Sequence, residues 1–275
     1  MDTLASTATG SRWRLGWAAA ASALLLAACG GGDGMEACLQ AGSSGDVVVG
    51  SGLPGDPAIP EPQSGYKTGK KAVNAWTYMA VTANPLATKA GCEVLKAGGT
   101  AVDAAVAVQA VLGLVEPQSS GLGGGAFMVH YNAGTKVVNT YDGREKAPAA
   151  ATEDYLRYVS ATDKTNPKPD LAGNSFNSTR ASGRSIGVPG AVRMLELAHQ
   201  DHGRTPWRDL FGSGIKLATD GFPIPGRMAA AIAGARTDLL RDADATAYFL
   251  NADLSAKALG TTIKNPDYAA TLTSI

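Results

Sequence analysis

The segment Ala101 to Val115 (AVDAAVAVQAVLGLV) constrains this chain more than any other part of it, because it is apolar on nearly every face. Thr100 with Asp103 three residues on has the pattern of a capping box with a shorter acid, and Glu116-Pro117 closes the run. The pattern predicts a helix. Fifteen residues with an acid near the start will not cross a bilayer, so this helix has to pack between layers of a large domain. Composition agrees, since 45% of the 275 residues are hydrophobic and 17% charged, which is ample apolar material for a core. The 24 basic and 24 acidic side chains cancel, leaving no cationic excess for a phosphate backbone, and no nucleic-acid partner is expected.

Arg12 and Arg14 precede an uncharged stretch from Trp17 to Ala28, 12 residues rich in Ala and Leu. That length fits the core of a signal peptide and is too short for a spanning helix. Residues 1–28 are therefore expected to be a signal peptide. Leu26-Ala27-Ala28-Cys29 followed by Gly30 resembles a bacterial lipobox, in which the chain is cut before the cysteine. Cys29 is then the lipid attachment site, and the protein is exported to the periplasmic face of a bacterial membrane. Ordinary signal cleavage instead leaves it free in the periplasm. Residues 29–66, dense in Gly, Ser and Pro with only Val47 to Val49 as an apolar run, read as a flexible tether. The folded body is expected over residues 67–275. Export permits a disulfide between Cys38 and Cys92, but two cysteines fix no framework. None of His130, His199 and His202 sits near a cysteine pair, so no metal site and no cofactor are expected.

Within the body, Ala72 to Thr82 is β-rich and reads as a strand or two. Asn84-Pro85 has the form of an N-cap followed by proline at the first helical position, opening a helix to Lys96 that stops at Gly98-Gly99. Two β-rich runs, Ala126 to Tyr131 and Lys136 to Tyr141, flank the turn Asn132 to Thr135 and predict a hairpin. Helices are expected at Gly190 to His202, at Pro206 to Asp220 with Thr205 as cap and Gly221 as stop, and at Arg227 to Leu240. A hairpin among helices, without repeated βαβ units, makes the fold class α+β.

Three motifs carry chemical claims. Gly121-Leu122-Gly123-Gly124-Gly125-Ala126 formally fits a dinucleotide fingerprint, but that mechanism needs strand, glycines, then helix, and here the order is helix, glycines, strand. Gly183-Arg184-Ser185-Ile186-Gly187 fits a nucleophile elbow, yet no buried strand precedes it and Pro189 falls in the supposed elbow helix. Arg144, in Asp142-Gly143-Arg144-Glu145-Lys146-Ala147-Pro148, stands where the hairpin hands over to a loop. Its planar fork matches a carboxylate bidentately and suits an amino-acid substrate. The residues alone equally allow a surface ion pair with Asp142 or Glu145.

The blocks NPLATKAGCEVLKAGGTAVDAAVAVQAVLGLVEPQSSGLGGGAFMVHY, DGREKAPAAAT, GVPGAV with its helix and TPW turn, and LATDGF occur in family order over roughly residues 67 to 275. Together they resemble the N-terminal, large-subunit portion of the γ-glutamyltranspeptidases, or glutathione hydrolases. The resemblance implies a partial αββα sandwich of the N-terminal-nucleophile hydrolase type. It implies transfer or hydrolysis of the γ-glutamyl group of glutathione and related compounds through a threonine-bound acyl intermediate, with water, an amino acid or a peptide as acceptor. It assigns Arg144 to the α-carboxylate of the glutamyl group, with Glu145 orienting that arginine or its loop. The family nucleophile lies in a Thr-Thr-His-x-Ser type segment of the small subunit; here Thr261-Thr262 is followed by Ile263-Lys264 and reads as a loop. The chain alone is therefore expected to be inactive, to need a small-subunit portion as partner, and to leave sheet edges and apolar faces uncovered. Two alternatives stay open: a non-catalytic ligand-binding lipoprotein, and a related acylase with a different acyl preference.

Overall fold

The computed structural model describes residue 75 and residues 77–153, 155–156 and 183–275. The expected signal peptide, Cys29, Cys38 and the tether lie outside the described residues.

Helix α1 spans Pro85–Lys96 and starts where Asn84 accepts the Leu86 N–H at 3.0 Å, with proline at the first position as expected. Gly98, with φ +90°, turns the chain beyond its end. Helix α2 spans Ala101–Val115, and both halves of the capping box form: the Asp103 N–H donates to Thr100 Oγ1 at 3.1 Å, and the Thr100 N–H to Asp103 Oδ2 at 2.8 Å. Strands β1 (Ala126–Asn132) and β2 (Val137–Gly143) form an antiparallel hairpin in which Ala126 faces Gly143 and His130 faces Asn139. Helices α3 (Ala191–His202), α4 (Gly212–Asp220) and α5 (Gly226–Leu239) follow, with the two-residue strand β3 (Phe222–Pro223) between the last two. The chain continues through α6 (Ala243–Phe249), β4 (Thr262–Ile263, antiparallel to β3) and α7 (Pro266–Ser274).

α2 occupies the centre because it has no polar face to give to water. Its C-terminal half (Val111, Leu114, Val115) packs with Phe222, Ile224 and Met228, and its N-terminal half (Val102, Val106, Ala110) with Met194, Leu210 and Phe211. Each such Val or Leu contributes roughly 1.5–3 kcal/mol by leaving water. The inner face of the hairpin joins the second cluster through Tyr141 and Met128. Its outer face does the opposite: Phe127, Val129, Tyr131 and Val138 are between 57% and 71% exposed, the uncovered apolar face expected of a partial sandwich. Among the described residues, no helix is long and apolar enough to cross a membrane.

The structure departs from expectation in several places. Residues 77–82 form no strand; Thr82 instead hydrogen-bonds Asn84 and Thr88 ahead of α1, since β propensity without a partner strand makes no ladder. Thr205 caps no helix. Trp207–Phe211 is a 3-10 turn, α4 begins only at Gly212, and the Arg204 and Thr205 N–H groups are taken by the Asp103 carboxylate at 3.1 Å. Thr262 belongs to β4 rather than a loop, because the buried Ile263 is drawn into the core beside Phe222. α7 opens on Asn265-Pro266, the same cap signature as α1.

Candidate functional site

Three segments far apart in sequence meet at the end of β2. The Gly124 carbonyl of the glycine-rich loop accepts the N–H groups of Gly190 and Ala191 at 3.2 and 3.1 Å, filling the N-terminus of α3. Those glycines thus serve a helix end of the protein itself, and helix α2 precedes them while strand β1 follows, the reverse of a dinucleotide site. Lys146 and Val188 form a two-bond antiparallel bridge at 3.2 and 2.8 Å. Gly143 and Gly190 let the backbones cross: a Cβ on Gly143 would meet Met194 Cβ at 2.5 Å and the Gly190 carbonyl at 2.9 Å.

This scaffold carries Arg144 into a cleft of about 400 Å³, shared with Gly123, Glu145, Lys146, Ser185 and Gly187. The Arg144 N–H donates to Asp142 Oδ1 at 2.9 Å, turning the chain out of β2. Its guanidinium Nη1 donates to Glu145 Oε2 at 2.6 Å while the side chain stays 63% exposed. The ion pair foreseen with Glu145 therefore exists, and it exists inside a cleft. Glu145 is seated by absent side chains, since a Cβ on Gly125 would fall 2.5 Å from its Oε2 and one on Gly187 would fall 2.9 Å from its Cβ. An acid wedged between two glycines holds the arginine fork in one place and leaves its other N–H groups open to the cleft.

Ser185 reaches the cleft from a 3-10 turn, Gly183–Ser185. Extended chain with the Val188 bridge follows it, where an elbow requires a helix, so no nucleophile elbow forms. The far wall, Ser185 to Gly187, was not foreseen as part of the site; the Gly-Val-Pro-Gly block that pairs with Lys146 was its one visible signal. A second depression, about 190 Å³ and lined by Met228, Ile232, Leu239 and Phe249, is apolar and offers no ionisable group.

Behind the hairpin lies a separate group of titratable side chains. The rings of His130 and His202 stack at 3.9 Å and 21°, and neither His130 Nδ1 nor His202 Nε2 has a hydrogen-bond partner among the described residues. Burial, and then the charge of His202, hold His130 below the ordinary histidine range. Tyr141 meets His202 edge-on and donates to Asp201 Oδ2 at 2.8 Å; burial and that acceptor push its hydroxyl up to about 12. Among the described residues, no three His, Cys, Asp or Glu side chains are placed to hold a metal. Cys92 is disulfide-bonded.

A buried, largely apolar helix, an antiparallel hairpin and a cationic cleft at its end belong to an α+β protein of the N-terminal-nucleophile hydrolase type, as its structural likenesses show. The gamma-glutamyltranspeptidase family model matches residues 87–275, and the chain belongs to that family. It is 37% identical over 216 residues to the glutathione hydrolase proenzyme of Bacillus subtilis (strain 168), covering 78% of this chain and 35% of that protein. It superposes on the Helicobacter pylori gamma-glutamyltranspeptidase with a TM-score of 0.65 and 32% identity, over 74% of this chain and 55% of the other. The cephalosporin acylase of Bacillus halodurans is similar too, with a TM-score of 0.61 and 26% identity over 79% of this chain and 39% of the other. The chain thus spans about a third of the length of the curated relative it matches.

Proposed function

We propose that this chain forms the glutamyl-recognising part of an enzyme that transfers or hydrolyses the γ-glutamyl group of glutathione and related compounds. The observation that carries this is the Arg144 fork, fixed by Glu145 and two crossing backbones, lining a cleft at the end of a hairpin. In this reading the fork takes the α-carboxylate of the glutamyl group by two parallel N–H···O bonds. The attacking group is the hydroxyl of a small-subunit threonine, in a Thr-Thr-His-x-Ser type segment that this sequence does not contain. The threonine oxygen bonds to the γ-carbonyl carbon, the amide C–N bond breaks and the amine leaves with a proton; water or an acceptor amine then releases the acyl group and restores the hydroxyl.

Arg144→Gln tests the clamp. Calorimetric titration with L-γ-glutamyl ethylamide should show binding about 10- to 100-fold weaker than in the wild type, the loss of a charge-assisted bidentate pair. Unchanged affinity would overturn the reading. An acylase with another acyl preference is the second reading, favoured by the likeness to the cephalosporin acylase. An acyl group without an α-carboxylate should be indifferent to Arg144→Gln, which separates the two.

Export and lipid anchoring through Cys29 belong to the same proposal, supported by the leader-like sequence and by disulfide bonding of Cys92, which suits an oxidising compartment. Mass spectrometry of the mature N-terminus decides it: a diacylglyceryl cysteine supports the anchor, and an unmodified N-terminus refutes it.

A further inference from the structure

Lys146 lines the same cleft as Arg144, two residues further along the chain. Two positions so close are at most about 7 Å apart at their Cα atoms. The Lys146 backbone is fixed by its bridge to Val188, so the stem of the side chain starts from a defined point. Arg144 shares its charge with Glu145, whereas Lys146 has no acidic partner among the described residues. Among the described residues, the ionised side chains lining the cleft are therefore two cations and one anion, and the uncompensated charge is that of the lysine. A ligand with a single carboxylate engages the arginine and leaves this charge facing water.

We infer that Lys146 is a specificity-determining residue that receives a second carboxylate, so the cleft favours γ-glutamyl amino acids and peptides over γ-glutamyl amides of uncharged amines. The inference rests on the reading of Arg144 as the α-carboxylate clamp. Both side chains line one cleft, and the two carboxylates of a γ-glutamyl amino acid are joined by a flexible link, so a single ligand can offer one carboxylate to each cation. An ammonium on a flexible stem is a point charge rather than a fork, so it selects for charge and tolerates variation in the geometry of the second group. Because Lys146 is exposed, its effect is modest and falls with salt.

The test is calorimetric titration of the full-length protein with L-γ-glutamylglycine and with L-γ-glutamyl ethylamide, at low and at high salt. The wild type should bind the dicarboxylate roughly two- to fivefold more tightly at low salt, with the preference shrinking at high salt. Lys146→Gln should erase the preference, weakening the dicarboxylate more than the ethylamide, and Lys146→Arg should retain it. An unchanged preference in Lys146→Gln, with Arg144→Gln weakening both ligands, overturns this inference and leaves the clamp standing. Arg144→Gln without effect on either ligand overturns the clamp itself. Thermal melting of the lysine variants should match the wild type, because the side chain is exposed; a lowered melting point would instead assign Lys146 a structural role and overturn the inference.

Discussion

The buried carboxylate of Asp103 accepts the backbone N–H of Arg204, 101 residues further along the chain, at 3.1 Å from each oxygen. It also takes the N–H groups of Thr205 at 3.1 Å and Thr100 at 2.8 Å, and lies 3.4 Å from His199 Nε2. Burial by itself raises the carboxyl, but the backbone donors of Thr100, Thr205 and Arg204 outweigh it and hold the group below the ordinary carboxylate range. One side chain thus starts α2 and fastens the turn after α3 to it. Asp103→Asn keeps the size and sets an NH2 against converging donors, so a loss of about 2–4 kcal/mol in urea unfolding is expected. The sign of the pH effect follows from the lowered value. This stability is fully present above about pH 4 and is lost as the pH falls through the folded-state value, and the Asn variant lacks that acid limb. Equal acid limbs in the two proteins would refute the assignment.

Gly190 and Gly143 cross at backbone contact, and a Cβ on Gly190 would stand 2.8 Å from the Gly143 carbonyl carbon and 3.1 Å from the Arg144 oxygen. Neither neighbour is a flexible side-chain end that can move aside. Gly190→Ala should therefore cost about 1–3 kcal/mol by overpacking and shift the backbone that carries Arg144. Gly234 in α5 has nothing within 4 Å of such a Cβ, so Gly234→Ala should stabilise by about 0.5–1 kcal/mol through helix propensity. Denaturant midpoints of the two variants relative to wild type check both signs at once.

What could be read in the sequence was local. The cap of α1, the capping box and burial of α2, and the hairpin up to Arg144 are written in residues within a few positions of one another. The family blocks added the fold type. The far wall of the cleft depends on Lys146 pairing with Val188, and the Asp103 anchor on Arg204; such distant pairings leave no periodicity behind. β4 escaped because two residues are too few to alternate, and residues 77–82 suit a strand in composition that no neighbour among the described residues completes.

The stacked His130 and His202 predict an acid-sensitive hairpin. His130 on β1 faces His202 at the end of α3, with the Tyr141 ring edge-on, Asp201 holding the Tyr141 hydroxyl, and Asn139 across the ladder. Its folded-state value lies below the unfolded one, chiefly through burial and then through His202. The unfolded chain therefore binds the proton first, and stability falls as the pH drops below about 6.5. Urea midpoints should decline between about pH 7 and about pH 5.5, well above the window in which Asp103 titrates. His130→Phe keeps a stacked ring without a proton site and should flatten that decline. An identical slope in the variant would show that the stack does not sense protons.

If Arg144 is the proposed clamp, substitutions at Glu145 should separate stability from recognition. Its bond to the Arg144 guanidinium spans side chains 63% and 28% exposed, and pairs of that kind contribute about 0–1 kcal/mol to folding. Its seat between Gly125 and Gly187 nonetheless fixes where the fork points. Glu145→Gln fills the same space without the charge, so unfolding should change by less than about 1 kcal/mol while affinity for L-γ-glutamyl ethylamide falls about 3- to 10-fold as the fork loses its orientation. Gly125→Ala attacks the same contact from the other side: its Cβ would press on the Glu145 carboxylate and backbone N, displace the acid and lower affinity similarly. Weaker binding in both variants with near-normal melting in Glu145→Gln is the signature of a positioning residue. Affinity unchanged in both would mean that Arg144 finds the ligand without the acid beside it.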